Sequence, residues 1–353
     1  MKKYLLYLTA TFLTAHFTDA QVLYTENFNN LTVGNLGTDP TGVIPGQGGW
    51  KTKCFALPMY INNNYFEIVT EPGRGKVLKL TADQNVGVRA FINDLDLLWN
   101  NRNPGNNVCK IEFDFFTGEH PAVPNYLPPY RRVNHTFGVS NTNIEYPSRT
   151  IIGMSHAQYM SGRISLLYND GVIHRVFPQS IINFPEKTWL KFEIYLDYPL
   201  QKAYFFIPTL GVYLETDQFL KLSTASNPMD DFTPTSFIIH IMGDEDIAKE
   251  VFVKYDNIII SAVDKAPLSV TELISSKFNI FPNPSNDVVT ITNSENIGIE
   301  KVDVYDLTGR VIKTKEYNNE NNVQLNLSDL ATATYLLHIQ NKEGVAVKKI
   351  VKK

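Results

Sequence analysis

Two acidic residues on one predicted strand could carry out carboxylate chemistry. Glu112 and Asp114 alternate with apolar residues in Val108–Phe116, so their side chains point to the same face. Two carboxyl groups held close together can act as nucleophile and general acid in glycoside hydrolysis. The next acid in the sequence, Glu119, lies beyond the end of the strand in a predicted loop, so it cannot share the strand face with Glu112 and Asp114. We therefore interpret both acids as solvent-facing residues of a half-buried strand, with catalysis by Glu112 and Asp114 as the alternative.

A second pair of acids could bind a metal ion. Glu26 and Asp256 lie in the predicted first and last strands of the large upstream domain, which we expect to be neighbours. Carboxylate oxygens are the ligands that Ca²⁺ prefers. The sequence requires no cofactor, but we predict that this pair could bind a structural Ca²⁺; polar edge strands are the alternative. The seven histidines show no metal-ligand spacing, so we assign none of them to catalysis.

Aromatic residues in predicted loops could stack against sugar rings. Trp50 follows two glycines, and Trp99 precedes a run of asparagines. Tyr126 and Tyr130 lie among prolines in the segment 121–130. A ring in a loop is exposed more readily than a ring on a packed strand. We predict that these four residues contact a ligand, while most other aromatic residues belong to the core, because sheets favour them.

Short alternating strands must position these side chains. In Trp189–Asp197, the residues Leu190, Phe192, Ile194 and Leu196 point one way and the polar residues point the other. Val108–Phe116 behaves in the same way, and many similar runs are separated by Gly, Pro, Asn and Asp. Long helical periodicity is absent from the sequence. The pattern predicts an all-β fold with two stacked antiparallel sheets, since a single open sheet would leave an apolar face in water.

The chain is long enough for about two domains, preceded by an export signal. Residues 1–20 combine Lys2 and Lys3 with a mostly apolar stretch and small residues before Gln21, which is typical of a secretory signal peptide. No other apolar run is long enough to span a bilayer, so we expect no transmembrane segment in the mature chain. The net charge of −4 and the lack of a basic cluster upstream of the tail argue against nucleic-acid binding.

The two cysteines, Cys54 and Cys109, fall in the exported part. An oxidising compartment would permit a disulfide, but their spacing cannot show that they are close. The segment 264–277 contains Pro267 and small polar residues, and it predicts a linker. We therefore divide the chain into a signal peptide (1–20), a large domain (21–263), a linker (264–277) and a C-terminal domain (278–353).

The large domain resembles a concanavalin/laminin-G-like jelly roll. The residues that carry this resemblance are the opening Thr25–Phe28, the glycine-rich loops up to Trp50, the strands ending in Phe116 and beginning at Trp189, and the last strand Val253–Ile260. The resemblance implies a two-sheet antiparallel jelly-roll sandwich. Such folds include lectins, carbohydrate-binding modules, glycosidases and lyases, so the fold alone fixes no activity.

The C-terminal domain carries more specific motifs. They are Phe281-Pro-Asn-Pro284, Val304-Tyr-Asp-Leu-Thr-Gly-Arg310, the stretch ending in Tyr335, and the basic tail from Lys348 and Lys349 to Lys353. Together they resemble the C-terminal sorting domain of the type IX secretion system of Bacteroidetes. The resemblance implies a small Ig-like β-sandwich that the secretion machinery recognises. Its marker positions here are Pro282, Asn283, Pro284, Asp306, Gly309, Arg310, Tyr335, Lys348 and Lys349.

One position departs from that pattern, because Ala333 stands where the family usually carries glycine two residues before the tyrosine. If this position requires a positive φ, alanine there is strained by ~1 kcal/mol.

The resemblance implies that the chain passes through the periplasm and is delivered to the cell surface or the medium, with the type IX secretion machinery as its partner. We hypothesise a non-catalytic domain that binds carbohydrate or another extracellular ligand. An extracellular glycan-cleaving enzyme and an adhesive or structural surface protein are the two alternatives.

Overall fold

The computed structural model describes most of the chain downstream of the predicted signal peptide. The described residues are 20–55, 62–83, 86–118, 134–140, 150–157, 163–167, 185–216, 233–242, 251–293 and 295–353. The predicted signal peptide, apart from Ala20, therefore lies outside them.

Within its described residues, the upstream part of the chain is mostly strand, as the alternating pattern predicts. A short helix, α1, spans Leu95–Asn100. The strands are Gln21–Glu26 (β1), Gly34–Asn35 (β2), Lys51–Phe55 (β3), Phe66–Glu71 (β4), Gly75–Ala82 (β5), Gly87–Ile92 (β6), Val108–Phe116 (β7), Asn134–Ser140 (β8), Thr150–Ala157 (β9), Arg163–Leu167 (β10), Trp189–Asp197 (β11), Lys202–Ile207 (β12), Val212–Thr216 (β13), Ser236–Met242 (β14) and Val251–Val263 (β15).

These strands form two antiparallel sheets. The large sheet has the order β13-β12-β11-β7-β15-β5-β4-β2, with β1 also paired to β15. The small sheet has the order β10-β9-β8-β14-β6-β3. The first and last strands of the large domain were predicted to be neighbours. This prediction is confirmed, because Glu26 of β1 pairs with Ile258 of β15.

Apolar side chains from both sheets form one core between them. Phe113 of β7 lies with its ring centroid 4.8 Å from that of Phe137 on β8, which belongs to the small sheet. Both cysteines are buried in this core as free thiols. The opposite surface of the large sheet, called the outer face here, carries the polar side of the alternation on β7, β11 and β15.

The last part of the chain forms a second, smaller β-sandwich. Its two sheets have the orders β16-β17-β20 and β19-β18-β21-β22. The strands are Phe278–Phe281 (β16), Val288–Asn293 (β17), Ile299–Tyr305 (β18), Val311–Glu320 (β19), Val323–Asn326 (β20), Ala333–Asn341 (β21) and Gly344–Lys352 (β22). Val323, Leu325 and Leu327 are buried while Gln324 and Asn326 are exposed, as the alternation predicts.

The predicted linker contains a helix, α2, which spans Val270–Ser276. Ser269 caps it, because its hydroxyl accepts the Glu272 backbone N–H at 3.0 Å. The Glu272 carboxylate in turn accepts the backbone N–H of Leu268 at 2.8 Å. We call residues 265–353, the helix together with the smaller sandwich, the C-terminal unit.

Candidate functional site

Glu112 and Asp114 both lie on the outer face, as the alternation predicts, but Glu112 is not solvent-facing. It is 8% exposed and forms ion pairs with Lys110 and Lys191, the latter at 3.7 Å. The interpretation of two solvent-facing acids is therefore wrong for Glu112. A carboxylate can be buried only when cations or donors compensate for lost hydration, and the two lysines do so here.

Asp114 takes part in a second group of charges further along the same face. Its carboxylate is 2.7 Å from the guanidinium of Arg74 and accepts a hydrogen bond from the Asn257 side-chain amide at 2.9 Å. Arg74 also contacts Asp256 at 3.4 Å. Burial raises the pKa of Asp256 to about 6, although the Asn257 backbone N–H and Arg74 act in the opposite direction.

The raised pKa of Asp256 predicts a pH dependence of stability. The Asp256 carboxyl binds a proton more tightly in the folded state than in the unfolded state. Its contribution to the free energy of unfolding is therefore present at low pH and lost as the pH rises through about 6. When the pH is lowered from about 7 to about 4, protonation of Asp256 should help to raise the melting temperature of the wild type. We expect Asp256→Asn to lack this contribution, as measured by calorimetry at both pH values. Asp264→Asn, at an exposed acid, is the control and should leave the profile unchanged. Superimposable profiles for wild type and Asp256→Asn would contradict the assignment.

The predicted calcium pair has other partners in the structure. Glu26 accepts the backbone N–H of Phe28 at 2.6 Å, and burial raises its pKa. Asp256 contacts Arg74, as described above. Among the described residues, no three His, Cys, Asp or Glu side chains are grouped closely enough to hold a metal ion. A structural Ca²⁺ at Glu26 and Asp256 stays a prediction.

The predicted exposure of Trp50 and Trp99 is wrong, because both rings are buried. Trp50 packs with its ring centroid 5.9 Å from that of Phe28. Trp99 belongs to α1 rather than to a loop, and its ring lies 5.1 Å from that of Tyr198 and beneath the guanidinium of Arg102. Glu119, Tyr126 and Tyr130 lie outside the described residues.

A row of half-buried aromatic rings on the outer face was missed by the sequence analysis. It consists of Trp189, Phe116 and Phe252 on the adjacent strands β11, β7 and β15, and we call it the aromatic row. The ring centroids of Phe116 and Trp189 are 5.4 Å apart, and those of Phe116 and Phe252 are 6.4 Å apart. Each ring occupies a position where the alternation calls for a polar residue, and this was the signal that could have revealed it.

Charged side chains of both signs surround the aromatic row. The guanidinium of Arg74 lies 4.1 Å from the Trp189 ring centroid, and the ammonium of Lys254 lies 4.7 Å from that of Phe116. Arg74 is paired with Asp114, and Lys254 with Glu71. The row therefore combines half-buried ring surface, part of which these cations cover, with hydrogen-bond donors and acceptors, and neither charge is in large excess.

An ionic cluster centred on the buried Glu193 and Lys277 occupies the part of the outer face next to the C-terminal unit. Its members are Lys110, Glu112, Lys191 and Glu193 from the large sheet, with Lys277, Glu295 and Glu343 from the C-terminal unit. Glu193 is fully buried, 2.9 Å from Lys277 and 3.3 Å from Lys110. Burial alone would raise the pKa of Glu193, but Lys110, Lys277 and Lys191 together hold it below its usual range.

The proline motif of the C-terminal unit contacts the terminal strand directly. The Asn283 side chain donates to the Lys349 carbonyl at 2.9 Å and accepts the Val351 backbone N–H at 3.0 Å. Ser285 adds backbone hydrogen bonds to Val351 and Lys353. The peptide bonds before Pro282 and Pro284 are both cis. These contacts place the basic residues of β22 beside the motif, with Lys349 exposed and Lys348 half-buried.

The turn between β18 and β19 forms as predicted. The Asp306 carboxylate accepts hydrogen bonds from the Thr308 hydroxyl and from the backbone N–H groups of Thr308 and Arg310, which lower its pKa to about 2. Arg310 also pairs with this carboxylate through its side chain at 3.2 Å. Gly309 has a φ of +85°, a conformation that glycine adopts without strain.

Tyr335 and Ala333 lie at the start of β21. The Tyr335 hydroxyl donates to the Ala331 carbonyl at 3.0 Å, an arrangement that resembles the tyrosine corner of Ig-like sandwiches. Ala333 pairs with Lys352 in the sheet, and it is not among the residues with positive φ. The condition for strain at Ala333 is therefore not met, because the position is extended strand that any residue adopts.

Comparison with known families identifies the C-terminal segment. Residues 279–353 match the family described as "Secretion system C-terminal sorting domain". This match confirms the resemblance seen in the sequence motifs, and it implies export by the type IX secretion machinery. No curated protein matches the chain. No helix in the described part of the chain is long and apolar enough to cross a membrane.

Solved structures that are similar to this chain share little of its sequence. The Emp47p carbohydrate recognition domain is 10% identical, with a TM-score of 0.38, and the match covers 68% of this chain and 96% of that one. Lectin II from Ulex europaeus is 10% identical, with a TM-score of 0.37 and coverage of 67% and 97%. A sialidase is 9% identical, with a TM-score of 0.34; the match covers 69% of this chain but only 19% of the sialidase. At these values the likenesses do not bear on ligand or activity.

Proposed function

We propose that this chain is an exported carbohydrate-binding protein. The C-terminal unit directs residues 21–263 to the cell surface or the medium, and the large sandwich binds a glycan there without cleaving it. The observation that carries the binding proposal is the aromatic row, a set of half-buried rings across three neighbouring strands.

The chemistry of the aromatic row suits a sugar. The faces of aromatic rings are weakly negative and attract the polarised C–H groups on the flat side of a sugar ring. Sugar hydroxyl groups both donate and accept hydrogen bonds, and the Arg74–Asp114 pair offers both partners beside Trp189. The charges around the row are largely paired, so the expected ligand is a neutral glycan rather than a polyanion.

The contacts of Glu112 do not support the alternative of a glycan-cleaving enzyme that uses the predicted carboxylates. Glu112 is paired with two lysines, one of which bridges it to Glu295 of the C-terminal unit. A substrate could reach Glu112 only after these contacts are broken. Asp114 is paired with Arg74 and sits beside the aromatic row, where it is better placed to accept a hydrogen bond from a ligand.

Replacing Trp189 with alanine tests the binding proposal. We expect the full mature chain, residues 21–353, to bind members of a neutral glycan array, and Trp189→Ala to weaken that binding about tenfold to thirtyfold, as loss of a central aromatic contact does at other interfaces. Leu97→Ala, at an exposed residue of α1, should bind as wild type does. Melting curves of each variant confirm that the chain remains folded.

Two results would contradict the proposal: no binding to any glycan, or unchanged binding by Trp189→Ala. Retention of the wild-type chain on extracellular proteins alone would favour the adhesive alternative. Release of reducing sugar that is abolished by Glu112→Gln would favour the enzyme.

A further inference from the structure

The helix α2 contacts two different cores through adjacent residues. Ile274 packs into the core of the C-terminal unit, whereas Leu273 packs against the outer face of the large sheet. The apolar residues that receive Leu273 are Val108, Tyr195, Tyr204 and Phe206. Leu273 is 1% exposed, so this contact is as well buried as a core contact. We call the outer-face residues around Leu273 the docking face. It consists of four apolar or aromatic residues and three charged ones: Val108, Tyr195, Tyr204 and Phe206 with Lys110, Lys191 and Glu193.

The charges on the two sides of this contact are complementary. The docking face presents Glu193, and the C-terminal unit inserts Lys277 beside it at 2.9 Å. Lys191 of the docking face is in turn 2.7 Å from Glu295 of the C-terminal unit. Lys277 is also 3.2 Å from Glu343 within its own unit, and it is almost fully buried. If the two parts separated, Lys277 would lose Glu193 and Lys191 would lose Glu295.

The covalent connection beside this contact is accessible. Asp264 and Lys265 are exposed, whereas Ala266 and Pro267 are buried. The exposed part of the connection is therefore the bond between Asp264 and Lys265, just before Ala266, which packs in the same cluster as Leu273.

We propose that the docking face binds the C-terminal unit independently of the covalent connection, so that a chain cut between Asp264 and Lys265 remains one particle. The partner that this face fits is a protein surface with an apolar side chain next to a lysine held between glutamates. Cutting the chain and releasing the C-terminal unit are then separate events. This inference does not depend on the glycan-binding proposal.

A cleavable full chain tests the inference. A recognition sequence for a site-specific protease is inserted between Asp264 and Lys265, the folded protein is cut completely, and the product is analysed by size-exclusion chromatography at physiological salt. We expect both fragments to elute together at micromolar concentration. Separate elution of two folded fragments would overturn the proposal.

Leu273→Asp in the same cleavable chain tests whether the docking face holds the fragments together. A charge placed in this apolar contact should weaken the association about 100-fold, so that the cut fragments separate. Lys313→Met, at a more exposed ion pair with Asp329, should leave them together. If Leu273→Asp prevents folding of the uncut chain, Leu273→Ala is used and should raise the dissociation constant at least about thirtyfold. Fragments that stay together as tightly as wild type would contradict the proposed docking face.

Discussion

Replacing Lys277 with methionine is expected to destabilise the folded chain by about 3–5 kcal/mol, the usual result of breaking a buried ion pair from one side. Lys277 is 4% exposed and is the shared cation of Glu193, Glu295 and Glu343. These three carboxylates outweigh the effect of burial and hold the pKa of Lys277 above its usual range. Methionine has a similar length but no charge, so the variant leaves the carboxylates buried without their common partner. The measurement is equilibrium unfolding in urea of the mature chain.

Lys313→Met is the matched control, because Lys313 pairs with the exposed Asp329 at the surface of the same unit. We expect a change within about 0.5 kcal/mol for this exposed pair. Adding Glu193→Gln to Lys277→Met should recover part of the loss, because it removes one of the unpaired charges. A loss for Lys277→Met no larger than for Lys313→Met would contradict a role for the ionic cluster in holding the two parts together.

The strands were predictable because their side chains follow a period of two. Val108–Phe116 and Trp189–Asp197 were delimited as the structure has them, since each is a long alternating run bounded by polar residues. The motifs of the C-terminal unit were equally readable. The Asp306–Gly309 turn depends on local hydrogen bonds and on one positive φ, and both are properties of a few consecutive residues.

The contacts on the outer face could not be predicted from the sequence, because they join residues on strands that are distant in the chain and adjacent only in the sheet. Phe116 and Trp189 become neighbours only through the pairing of β7 with β11, and Lys277 reaches Glu193 only when the C-terminal unit packs on the large sheet. Alternation correctly placed Glu112 on the outer face, but it could not show that this part of the face is covered. An outer face that holds aromatic residues among its charges was the visible sign that it contacts something besides water.

Two local signals in the sequence were present but not used. Ser269 and Glu272 have the spacing of a helix cap, which α2 confirms. Leu95 and Trp99 are four residues apart, as expected for two buried residues on one face of a short helix, and both are buried in α1. Each helix is less than two turns long, so too few residues show the helical periodicity. The nearby proline or asparagines instead suggested a loop or linker.

Deleting residues 279–353 should abolish delivery of the chain outside the cell. These residues carry the family match and the contacts between the proline motif and the terminal strand. Without them the signal peptide predicted at residues 1–20 still directs the chain into the periplasm, but the outer-membrane step has nothing to recognise. A reporter protein fused to residues 265–353 and preceded by the same signal peptide should gain the export that the truncated chain loses.

Fractionation of a Bacteroidetes host with a type IX system, expressing either the full chain or the chain ending at residue 278, tests the central claim most directly. Immunoblots of medium, cell surface and periplasm should place the full chain outside the cell and the shortened chain, folded and protease-resistant, in the periplasm. Equal amounts of both chains outside the cell would show that the C-terminal unit is not the export signal.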